Sequence, residues 1–124
     1  MKTFLFTLVT FLFCSSGICQ DVETIVKEAE RLEAIPDETG AYHKLKEALA
    51  IKPNHVHALA KCSEMCSRIG KRQKDATLRD DYYKAAKIYA ETALKFDPNN
   101  SEANCSMAIA LGRTTMSKSG KEKM

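Results

Sequence analysis

The stretch PNHVHALAKCSEMC, Pro53 to Cys66, gathers the residues most able to do chemistry: His55 and His57 in an H-x-H, and Cys62 and Cys66 in a C-x-x-x-C. Imidazole nitrogen and thiolate sulfur are the common ligands of zinc, and cysteines four apart share one face of a helix. A thiol or metal protein using Cys62, Cys66 and His57 is therefore one reading. Packing is the other. Val56, Leu59, Cys62, Ser63, Cys66 and Ile69 recur at helical spacing, and buried cysteine behaves as a small hydrophobe. His57 stands about a quarter turn off that face and His55 precedes it, so a metal would need ligands converging from different directions. Packing is the expectation, with no metal and no cofactor. A bond between Cys62 and Cys105 stays open in an oxidising compartment.

Catalysis finds no purchase elsewhere. The chain holds no G-x-S-x-G, P-loop, H-E-x-x-H or dinucleotide fingerprint. Glu28, Glu30 and Glu33 have helical surface spacing and are expected to form a solvated face, and His43 to be exposed. No enzyme is expected. The net charge of +3 is weak and comes mostly from the last dozen residues, so it does not predict a nucleic-acid partner. The basic stretches KRQKD and MSKSGKEKM are expected to touch neither lipid nor nucleic acid.

The elements that carry these residues follow from composition and periodicity. The 124 residues suit one small domain, and three prolines and five glycines are too few turn formers for an all-β chain. Residues 1–19 have the three-part build of a signal peptide: Lys2, the apolar run Phe4 to Phe13, then small residues with cleavage before Gln20. The alternative is an uncleaved membrane anchor over residues 3–19. Export to a periplasm or the cell exterior is the expectation. Cleavage removes Lys2 and lowers the charge to +2, leaving Cys62, Cys66 and Cys105, too few for a disulfide framework.

The rest repeats itself. AYHKLKEALAIKPN laid over AKIYAETALKFDPN at an offset of 45 matches at Ala41/Ala86, Ala48/Ala93, Leu49/Leu94, Pro53/Pro98 and Asn54/Asn99, and then at Ala58/Ala103 and Arg68/Arg113. Each Pro-Asn ends a helix, because proline lacks an N–H and restricts the residue before it, and the asparagines are placed to cap the next. Val22, Ile25, Val26, Ala29 and Leu32 mark a first helix. Asp37 caps a second ending near Ile51, and a third starts at Val56. A fourth runs from about Leu78 to Phe96, opened by Thr77 with Asp80 three residues on. A fifth begins near Ser101. The expected fold is all-α: an α-solenoid of antiparallel helix pairs, five helices after the signal segment, in about two and a half repeats.

In this register the chain resembles a tetratricopeptide repeat. Counting Val22 as the first position places Ile25, Ala29, Leu32, Ala41, Ala48 and Pro53 where that family favours large apolar, small and proline residues. The first repeat is 22–55. The second, 56–100, carries Leu59, Cys62 and Cys66, then eleven extra residues near 70–80 before Ala86 and Ala93 resume the pattern. The third, 101–112, is a first helix with Met107, Ala108 and Leu111 at packing positions, within a domain spanning 20–112. Residues 113–124 are expected as a basic polar tail, the chain resembling a truncated N-terminal piece. DDYYKAAKIYAETALKFDP and ALGRTTMSKSGKEK are similar to repeat proteins of the regulator of microtubule dynamics type and exported bacterial relatives.

That resemblance implies a binding surface on the concave face of the first helices. His57, Lys61, Glu64 and Arg68 form one polar stripe there, and Arg68 and Arg113 occupy equivalent positions one repeat apart, suited to an acidic segment. The stripe equally serves solubility alone. Val26 and Glu30 stand where chaperone-docking relatives carry their carboxylate clamp, so chaperone-tail binding is not implied. The leading expectation is an exported scaffold for an unknown protein or peptide partner. The alternatives are a membrane-anchored adaptor related to microtubule regulators and the thiol or metal protein. The uncapped fifth helix adds an expectation of self-association.

Overall fold

A computed structural model describes residues 15–122 of the chain. Residues 1–14, and with them most of the expected signal segment, lie outside the described residues, as do 123 and 124. Five helices and no strand are found among the described residues: α1 (Ser15–Ala34), α2 (Glu38–Ile51), α3 (Val56–Arg72), α4 (Ala76–Phe96) and α5 (Ser101–Glu122).

Local chemistry sets the helix ends, though not always through the residues expected. Asp37 accepts the Gly40 N–H at 2.9 Å and opens α2. Ahead of α3 the cap is His55 rather than Asn54: its Nδ1 accepts the Ala58 N–H at 3.1 Å. The ring proton therefore sits on Nε2, 2.9 Å from Glu23 Oε1 in α1. Asn100, not Asn99, receives the Ala103 N–H at 2.9 Å ahead of α5. For α4 the cap is Asp75, which accepts from Leu78 N at 2.7 Å, in place of the Thr77 and Asp80 pair expected.

The eleven additional residues do not form a long loop. They lengthen α3 to Arg72 and start α4 at Ala76, leaving only residues 73–75 between the two. Backbone amides within a helix satisfy one another, which a loop of the same length could not achieve. By the same economy α5 continues through residues 113–122, where a polar tail was expected.

Contacts at the helix ends set the directions. Glu38 at the start of α2 meets Arg72 at the end of α3, 2.8 Å apart. Asp80 early in α4 meets Ser117 and Lys121 late in α5. These neighbours run antiparallel. In contrast, His57 near the start of α3 meets Glu102 near the start of α5, so those two run alongside in one direction. Each helix packs on its sequence neighbours, and α3 packs on α5 as well.

The core is broad between α1, α2 and α3, where Val22, Val26, Ala29, Leu45, Cys62, Met65 and Ile69 meet. It narrows toward α4 and α5 into alanine contacts: Leu59 and Ala60 with Ala93 and Ala103, and Cys66 with Ala86 and Ala110. Small side chains let the helix backbones approach. The Ser106 hydroxyl of α5 donates to the backbone carbonyl of Ala60 in α3 at 3.2 Å. Tyr42 and Tyr89 join α2 to α4, with hydroxyls 3.2 Å apart and rings edge-on. Burial and that hydrogen bond push the Tyr42 phenol well above its ordinary pKa.

Candidate functional site

The polar residues of α3 emerge from its packed side at a spacing of three and four, so they line one strip. His57 sits between two carboxylates, with Nδ1 2.7 Å from Glu102 Oε2 in α5 and Nε2 3.0 Å from Glu30 Oε1 in α1. Both ring nitrogens donate only when the ring is protonated. Burial works to lower the His57 pKa, but the two glutamates outweigh it and hold the value above that of ordinary histidine. Lys61 Nζ lies 3.1 Å from Glu33 Oε2 and 3.3 Å from Glu64 Oε2. Arg68 Nη1 lies 3.1 Å from Glu33 Oε1, and its other terminal nitrogen pairs with Glu64.

The strip is thus an ion-pair network joining α1, α3 and α5. Glu30 and Glu33 are not merely solvated as expected: they face α3 cations, and Glu33 keeps only 19% of its side-chain surface exposed. Glu28 does match a solvated setting, paired with Arg31 on its own helix at 2.7 Å. Four glutamates, at 30, 33, 64 and 102, answer three basic side chains. A face so neutralised has little free positive charge for an acidic segment.

The cysteines are placed differently. Cys62 and Cys66 have no exposed surface, and both are free. Burial raises the Cys62 thiol strongly and pushes Cys66 up to about 11, so both stay protonated near neutrality. Cys105 is free and exposed on α5. Both histidines of the H-x-H are engaged, His55 as a cap and His57 by glutamates. Among the described residues no cluster of three or more His, Cys, Asp or Glu is arranged to hold a metal.

Arg113 does not join Arg68. It lines a cleft of about 420 Å³ between the end of α3, the start of α4 and the last turns of α5, together with Lys71, Arg79 and Lys121. Arg68 is committed to Glu33 and Glu64.

Residues 25–124 match the model of a family described as regulator of microtubule dynamics protein 1-3. The chain belongs to that family. No curated protein matches the chain.

In this regulator of microtubule dynamics family member the remaining expected packing residues divide by helix. Ala29, Ala41, Ala48, Leu59, Ala86 and Ala93 are buried, while Ile25 and Leu32 are partly buried against the α1–α3 core. On α5 the register differs: Met107 is half-buried, Ala108 is exposed and Leu111 is 44% exposed. The buried side of α5 is instead Ala103, Ser106 and Ala110, the residues that meet α3 and α4. Met107 borders that side, while Ala108 and Leu111 turn away from it and stay exposed. Among the described helices none is long and apolar enough to cross a membrane. Sequence reasoning missed the acidic partners Glu30, Glu33 and Glu102, and the cleft cations Lys71 and Arg79. Their signal was faint: glutamates at helical surface spacing, and cations scattered over segments that only folding brings together.

Proposed function

We propose that this family member is a non-enzymatic, tetratricopeptide-like α-solenoid that holds a protein partner along the face of α1, α3 and α5. The observation that supports it most is the His57 bridge, in which one ring reaches Glu30 of α1 and Glu102 of α5. Stacked helix pairs put their first helices side by side in this way, and such rows serve as extended binding surfaces. The packing of α3 on both α4 and α5 is also what repeat stacking requires. The family's description points to a microtubule-associated partner.

The test is co-sedimentation of the full chain with polymerised tubulin, followed by hydrogen exchange on the bound protein. Slowed exchange along α1, α3 and α5 supports the reading. Protection confined to α2 and α4, or no co-sedimentation, counts against it.

Export is proposed on the strength of Lys2, the apolar run Phe4–Phe13 and the small residues before Gln20. A membrane-anchored adaptor keeps the same segment uncleaved, and family membership suits either form. N-terminal sequencing of the expressed protein separates them: a start at Gln20 means export, a retained Met1 means the anchor.

A further inference from the structure

The cleft at the far end of the molecule has a charge balance unlike that of the α3 strip. Lys71 comes from the end of α3, Arg79 from the first turns of α4, and Arg113 and Lys121 from α5. No carboxylate lines it. The nearby acids are already occupied: Asp80 by Ser117 and Lys121, and Asp75 by the Leu78 amide. Lys121 is neutralised in that way, which leaves Lys71, Arg79 and Arg113 as three cations with no ion pair among the described residues, Arg79 acting on the neighbouring Asp80 only through its charge. Arg79 and Arg113 are half-buried, so their stems lie along the walls while the charged ends stay within reach of water and of a ligand.

We propose that this cleft is a binding site for an acidic peptide segment, a run of glutamate or aspartate side chains presented by a protein partner. Two arginines with fork geometry suit carboxylates, and positive charge in a concave site attracts anions more strongly than on a flat surface. The shape favours a chain over a small ion. A second hollow of about 160 Å³ shares Tyr83, Ser117 and Lys121 with the first and adds Lys84 and Lys118, together with Asp80, whose carboxylate is engaged by Ser117 and Lys121. The first hollow alone is roomier than one phosphate group needs. Tyr83 and Met116 supply apolar wall for the methylene stems of such a segment. The cleft shares no residue with the α1–α3–α5 face, so the inference does not rest on the scaffold reading.

The experiment is fluorescence anisotropy of the full chain with a fluorescein-labelled glutamate–glycine peptide, and with a glutamine–glycine peptide as the neutral comparison. Binding of the acidic peptide alone is expected, weakening as salt is raised. The Arg79→Glu/Arg113→Glu variant should lose about tenfold or more in affinity, while Lys27→Glu/Lys95→Glu, with the same change in net charge elsewhere, should lose less than about twofold. If the first pair fails to fold by circular dichroism, Arg79→Gln/Arg113→Gln serves, with a smaller loss in the same direction. Equal losses in both charge-reversal pairs, or no binding of the acidic peptide, would overturn the proposal. So would variant-sensitive binding to phosphatidylserine vesicles without peptide binding, which would mark a membrane site instead.

Discussion

Gly70 of α3 lies against the ring of Tyr83 in α4: a Cβ added at Gly70 would stand 2.8 Å from Tyr83 Cε1 and 3.0 Å from the Tyr82 Cβ. The glycine is there for the close approach of two helices. In isolation Gly70→Ala would favour the helix by about 1 kcal/mol. Here the methyl meets a ring that is itself 6% exposed and must shift to admit it, and overpacking of this kind costs about 1–3 kcal/mol. The expected net effect is a loss of about 1 kcal/mol, read as a lower urea midpoint. A raised midpoint would mean the ring can swing aside.

Ala86 is fully buried where α4 meets Cys66 of α3 and Ala110 of α5. Ala86→Phe should cost about 1–3 kcal/mol, because the added ring has no void to enter. Thermal melting checks it. An unchanged melting temperature would show that this three-helix contact is looser than its geometry implies.

Stability should depend on pH through His57. Its pKa is raised in the folded chain, with Glu102 and Glu30 overcoming the opposing effect of burial. The stabilisation is therefore complete below the unfolded value of about 6.5 and is lost as pH rises through the folded value. The ring is 37% exposed, so solvent screening keeps the step below about 1 kcal/mol. The melting temperature should fall across that window in the natural chain and change less in His57→Gln. Equal falls in both would assign the step to another group.

Maleimide labelling should sort the thiols. In a chain with Cys14 and Cys19 changed to serine, Cys105 should react first. Cys62 and Cys66 should be slower by on the order of a hundredfold or more, because burial hides them and suppresses the thiolate. Denaturant should equalise the three. Fast native labelling at Cys62 would contradict its burial.

The helices were readable because their signals are local: apolar residues at helical spacing, Pro53 and Pro98 as stops, Asp37 as a cap. Their ends were less so. Asp75 and Thr77 are both sound caps in isolation, and only the backbone turn decides which one reaches an orphan amide. The α5 face was misjudged for a different reason. Transferring a repeat register assigns Met107, Ala108 and Leu111 to the inside, but burial requires a covering helix, and α3 and α4 cover Ala103, Ser106 and Ala110. The His57–Arg68 strip was visible as spacing. Its neutralisation by Glu30, Glu33 and Glu102 was not, since those residues lie 27 to 45 positions away from their partners in the chain.

The link at 73–75 has a practical outcome for handling the molecule. Of the four stretches between described helices, it alone holds a basic residue whose following bond trypsin can cut: Lys74 precedes Asp75, whereas Lys52 precedes Pro53. Between the described helices, limited digestion should therefore cut at this one link, beside Lys71 and Ala76 at the mouth of the cationic cleft. The two fragments would stay clasped through the α3–α4 contact, giving a cut but still assembled particle with a new amino terminus at its basic end.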